Sequence, residues 1–139
     1  MIILDTNVIS EGFRSRPEPS VIAWMETLVD EVSITAITLA ELLAGVRRLP
    51  EGARKAALTA GIDTALDDYR QSAAILAFDD RAAERYADIL TIRERAGLPI
   101  SSADAQIAAI CRVHGATLAT RNTKDFEKTG VALVNPWSA

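Results

Sequence analysis

Residues 2–7, Ile2-Ile3-Leu4-Asp5-Thr6-Asn7, set three consecutive apolar residues directly before a carboxylate and two further polar residues. A short apolar run without polar alternation marks a strand covered on both faces, as strands of parallel sheets are. The polar residues that end it predict a turn at the strand's carboxyl end. Four later stretches read as strands too: Val32 to Ile37, Ile75 to Phe78, Ala116 to Ala119 and Val131 to Val134. Helical periodicity fills the intervals. Ser20 is expected to cap a helix carrying Val21, Ile22, Trp24, Met25 and Leu28, and Thr38 to open one through Leu42, Leu43 and Val46. Pro50 to Ala74 reads as a helical excursion interrupted at Gly61-Ile62-Asp63. Asp79 or Asp80 starts a helix bearing Ala83, Tyr86, Ala87, Leu90 and Ile92. Ser101 or Ser102 caps the last helix, which Gly115 ends. Strands alternating with helices predict an α/β fold with a mostly parallel sheet covered on both faces. Ligands bind such sheets beyond the carboxyl ends of their strands, so Asp5 and Asn122 are expected to face the binding crevice.

Composition narrows the function. The chain has 139 residues, which fits a single domain over 1–139, and 49% of them are hydrophobic, enough for a core without covalent staples. A net charge of −4 argues against a protein that coats nucleic acid by bulk charge. The single cysteine, Cys111, excludes an intramolecular disulfide and reads as a packed core thiol beside Ile107 and Ile110. The N-terminus lacks a basic segment before its apolar run, and no apolar run approaches the roughly 20 residues of a membrane span. A cytoplasmic protein is expected. No Gly-rich phosphate loop is present.

The chemistry lies in the acids. Leu4-Asp5-Thr6-Asn7, Thr38-Leu39-Ala40-Glu41, Ser101-Ser102-Ala103-Asp104 and Thr120-Arg121-Asn122-Thr123-Lys124-Asp125 each put a carboxylate at a strand end or helix start. Each has a local explanation: an Asx-turn for Asp5, and capping-box spacing for Thr38-x-x-Glu41 and Ser101-x-x-Asp104. Gathered at one sheet edge, however, they would repel one another unless a cation joined them. Oxygen ligands without a thiolate cluster point to Mg²⁺ or Mn²⁺. Such a pocket suits cleavage of a phosphodiester by metal-activated water, with Glu41 orienting the water or taking its proton. Thr6, Asn7 and Thr120 are expected to orient the carboxylates. Arg14, Arg16, Arg47, Arg48, Arg121 and Lys124 would grip a phosphate backbone, or, for Arg47 and Arg48, simply suit a helix C-terminus.

At these residues the chain resembles PIN-domain toxin ribonucleases of the VapC type, most closely the FitB-like branch. The resembling segments are Leu4 to Ser10, Ile34 to Leu42, Ala103 to Ala109, Leu118 to Asn122 and Asn135-Pro136-Trp137, in family order. The resemblance implies a three-layer α/β/α sandwich and a Mg²⁺-dependent endoribonuclease, the toxin of a type II toxin–antitoxin system. It also implies a homodimer and a VapB-like or FitA-like antitoxin encoded alongside. The resulting hetero-oligomer would reach operator DNA only through that antitoxin. The family's three core acids correspond to Asp5, Glu41 and Asp104, the expected metal ligands. The fourth falls at or near Asn122, an amide here, with Asp125 following, so either residue completes the catalytic set. Two other functions fit the same acids: a DNA nuclease, and a non-catalytic module that binds a basic partner segment. A phosphatase using Asp-x-Asp after the first strand is disfavoured by Asn7.

Overall fold

A computed structural model describes residues 1–139. Five strands form one sheet: β1 (Ile2–Leu4), β2 (Val32–Thr35), β3 (Ile75–Leu76), β4 (Thr117–Ala119) and β5 (Ala132–Val134). Their order is β3-β2-β1-β4-β5, and every pairing is parallel. The expected mostly parallel sheet is thus wholly parallel, with the N-terminal strand at its centre.

Six helices cover it: α1 (Thr6–Glu11), α2 (Pro19–Glu26), α3 (Ala36–Arg47), α4 (Ala53–Gln71), α5 (Asp80–Arg95) and α6 (Ser102–His114). Side-chain alternation along β1 explains the layers. Ile3 points into one core with Ile89, Ile107, Ile110, Leu118 and Phe126, beneath α5 and α6. Leu4 points into the other with Val8, Ile34, Leu42, Val46, Ile62 and Leu66, beneath α1, α3 and α4. Burying each such side chain is worth about 1.5–3 kcal/mol, so both faces must be covered. The three-layer sandwich follows. Cys111 is fully buried in the first core, as expected. No helix is long and apolar enough to cross a membrane.

Several local expectations are corrected. Asp5-Thr6-Asn7 is no simple turn: Asp5 caps a helix of six residues, its carboxylate accepting the Thr6 amide. Ser20 lies inside α2, which begins at Pro19 after Glu18; proline at a first helical position lacks only an N–H that would be unpaired anyway. Thr35, not Thr38, caps α3, its Oγ1 accepting the Thr38 amide at 3.1 Å. That ends β2 early and moves Glu41 out of any capping box into the second turn. α4 runs unbroken through Gly61-Ile62-Asp63, because Leu58 before the weak position and Ile62 and Leu66 after it anchor the helix to the core. In α5 the buried stripe is Ala82, Ile89 and Arg93; Ala83, Ala87 and Ile92 are exposed. Ser101 and Gly115 bound α6 as expected, with Gly115 in the left-handed region at φ 59°.

Candidate active site

The strand order reverses between β1 and β4, and at such a switch point a crevice opens beyond the strand ends. Asp5 follows β1 directly, and Thr120 follows β4. The ladder extends to both, with the Asp5 amide donating to the Ala119 carbonyl at 2.9 Å and Thr120 to Val134 at 2.9 Å.

Asp5 is only 4% exposed. Its Oδ1 accepts the Thr6 amide at 2.8 Å, and its Oδ2 accepts the Thr120 hydroxyl at 2.7 Å and the Asn7 amide nitrogen at 3.3 Å. Three donors from two segments therefore fix the carboxylate. Burial pushes its pKa above the ordinary value; the Thr120 and Thr6 bonds oppose that, and the charge of Glu41 adds to it. The same burial and the nearby Asp5 charge push the Cys111 thiol far up, so it is no nucleophile.

Glu41 is exposed at the crevice edge. Its Oε1 accepts the Thr6 hydroxyl at 2.8 Å, and the Thr38 hydroxyl oxygen lies 3.1 Å from that same Thr6 oxygen. Thr6 thus holds one acid by its amide and another by its side chain. Asp104 stands in the first turn of α6, its amide donating to Ser101 Oγ at 3.1 Å. Its pKa is raised first by burial and then by Asp5, with Asp125 and Glu41 adding to it while the Ser101 hydroxyl lowers it. Asp104 consequently feels all three other acids.

The two candidates for the fourth position separate. Asn122 is exposed and contributes its backbone, the amide donating to Thr120 Oγ1 at 3.1 Å. Asp125, in a 3₁₀ turn over Thr123–Phe126, shares with Asp104 a cleft of about 220 Å³. Asp125 is the acid brought to Asp104's side.

None of the chain's five ion pairs involves Asp5, Glu41, Asp104 or Asp125. The negative charge is therefore not neutralised from within. No three His, Cys, Asp or Glu side chains converge tightly enough to cage one ion. Mg²⁺ needs no such cage: it keeps several waters and takes one or two carboxylates plus substrate phosphate. An all-oxygen donor set with an oriented, buried Asp5 and mutually repelling neighbours fits an ion of that kind.

Around the acids, the Arg121 amide donates to Asn7 Oδ1 at 3.2 Å, and its guanidinium lies 4.9 Å from the centre of the Trp137 ring. Arg14 pairs instead with the buried Glu11 at 3.1 Å. A groove of about 1010 Å³ runs from Thr6 and Glu41 between α1, α3 and α4, with Phe13, Leu49 and Leu58 among its apolar walls and Arg14 and Arg54 on its rim. The sequence reading missed Thr38, which looked like a helix cap. It also missed Arg93, whose spacing from Ala82 and Ile89 was the available signal.

A PIN-domain profile matches residues 2–132. The chain is 41% identical over 138 residues to Toxin FitB of Neisseria gonorrhoeae, covering 99% of both chains. It is 36% identical over 138 residues to VapC ribonuclease Y4jK of Sinorhizobium fredii, covering 99% of this chain and 98% of that one. Among solved structures it is similar to FitAB bound to an IR36 DNA fragment, with a TM-score of 0.92 and 40% identity over 99% of this chain and 96% of that one.

Proposed function

The chain belongs to the PIN-domain family, and from that premise we propose that it is the toxin of a toxin–antitoxin pair, a Mg²⁺-dependent endoribonuclease. One observation carries the chemistry: Asp5 is buried and oriented at the switch point, has no cationic partner, and is close enough to Asp104 for its charge to raise that residue's pKa. The kinship to Toxin FitB and to a VapC ribonuclease supplies the substrate class.

Asp5 and Asp104 are the direct ligands in this reading, with Glu41 and Asp125 on either side. When bound, the ion supplies a water of lowered pKa and positive charge against the phosphate. Asp5 cannot rotate, because Thr6, Asn7 and Thr120 hold both its oxygens. Glu41, held by Thr6 and open to solvent, is placed to take a proton from an attacking water. Arg121, stiffened by Trp137, offers a planar cation to the substrate backbone beside the acids.

The antitoxin, of VapB-like or FitA-like kind, seats an apolar segment in the α1–α3–α4 groove, whose inner end is Glu41. A basic side chain reaching that end would neutralise the crevice and block the ion. Operator DNA is contacted through the antitoxin, and the toxin pairs with a second copy of itself in the assembly.

Purified chain incubated with RNA and with DNA tests the core of this. Cleavage of RNA with Mg²⁺, none with chelator, and none by Asp5→Asn are expected. Metal-independent cleavage, or full activity in Asp5→Asn, would refute it.

A further inference from the structure

Arg93 projects from the last turn of α5 into the interior and is only 4% exposed. None of the chain's ion pairs includes it. Its guanidinium instead binds three backbone carbonyls: Nε donates to Leu98 at 2.7 Å, Nη2 to Pro99 at 3.2 Å and Nη1 to Glu127 at 2.6 Å. The first two hold the turn that leads to Ser101, the cap of the helix bearing Asp104. The third reaches 34 positions along the chain to the residue that closes the 3₁₀ turn bearing Asp125. Arg93, Ser101, Asp104 and Asp125 then line one small cleft, together with Pro99 and Ile100.

We infer that Arg93 is a positioning residue that sets the spacing of Asp104 and Asp125, and through it the affinity of the crevice for a divalent ion. A buried cation without a carboxylate partner is costly for a fold, and an apolar side chain of similar length would fill the same space. What that side chain would lack is a rigid planar fork joining carbonyls of two separate segments. Lysine lacks it as well, having a single flexible point charge. The two segments joined are the turn before the helix that bears Asp104 and the residue after the turn that bears Asp125, so loosening the fork lets the two acids drift apart. Groups that orient ligands in this way typically change metal affinity by about 10- to 100-fold when removed.

The inference rests on the metal-nuclease reading above, and calorimetry with Mn²⁺ separates the two. The full chain, R93K and R93M are titrated with Mn²⁺, with Asp5→Asn subtracting binding outside the crevice and circular dichroism verifying the fold. R93M is expected to bind about 10- to 100-fold more weakly, with R93K in between. Asp125→Asn is expected to cost less in R93M than alone, because the two residues act on one spacing. Unchanged Mn²⁺ affinity in a folded R93M overturns the inference and leaves the metal reading standing. No Asp5-dependent uptake by the unsubstituted chain overturns both. Should R93M fail to fold, R93K decides, with weaker binding expected and equal affinity overturning the inference.

Discussion

The Thr120 hydroxyl stands 2.7 Å from Asp5 Oδ2 and joins the ends of two neighbouring strands whose residues lie 115 positions apart. It is a buried, charge-assisted bond on the one buried carboxylate of the crevice. Thr120→Val keeps the shape and removes the donor. A stability loss of about 1–3 kcal/mol is expected from the under-satisfied carboxylate, with metal affinity down about 10- to 100-fold. Thr120→Ser should recover most of both. Denaturant unfolding and Mn²⁺ calorimetry on the same samples check it, and a valine variant with full affinity would count against the role.

Asp104 is pressed by three other acids. Asp104→Asn should therefore abolish RNA cleavage without lowering the melting temperature of the metal-free chain, and should raise it if anything. A variant that loses activity only because it unfolds would show a lower melting temperature instead.

The raised pKa values of Asp5 and Asp104 have a definite consequence for pH. Both folded values lie above the ordinary aspartate value that the unfolded chain shows, so between the two values the folded chain holds more protons than the unfolded one. Stability of the metal-free chain then falls as pH rises through that window, and the penalty is complete above it. An ion that binds only the ionised carboxylates offsets it. Saturating Mg²⁺ is expected to raise the melting temperature more at pH 8 than at pH 5. An equal shift at both would place the bound ion elsewhere.

Gly45 lies exposed in α3 on the groove wall, and a Cβ built there meets nothing within 4 Å. Gly45→Ala should stabilise the chain by about 0.5–1 kcal/mol. Gly45→Phe should leave RNA cleavage by the free toxin intact while weakening antitoxin binding about tenfold or more, as a core contact of an interface would. Unaltered affinity of the phenylalanine variant would move the antitoxin off this groove.

Most of the architecture was legible in short apolar runs, because a strand covered on both faces needs nothing else. Ile2–Leu4 and the run ending at Ala119 gave their strands nearly to the residue. Boundaries failed where one residue type serves two local purposes. Thr35 and Thr38 are both able caps, and β-branched Ile37 made the strand look longer than it is. Asp5 suits a turn as well as a helix start, so α1, only six residues long, left no periodicity to find. The acids themselves were legible, and so was the help from Thr6, Asn7 and Thr120. Which of Asn122 and Asp125 approaches Asp104 was not, since three residues of an irregular turn decide it. Arg93 escaped because its partners are carbonyls, and every residue has one.

Because β1 is threaded between β2 and β4, one of its flanks is closed only by a strand 115 positions further along the chain, where Thr117 pairs with Ile2. Asp5 leaves the ribosome well before Asp104 and Thr120 do. A nascent chain that has not reached Thr120 therefore carries no assembled crevice. The delay between the first of these residues and the last leaves an interval of translation for an inhibitor to be at hand.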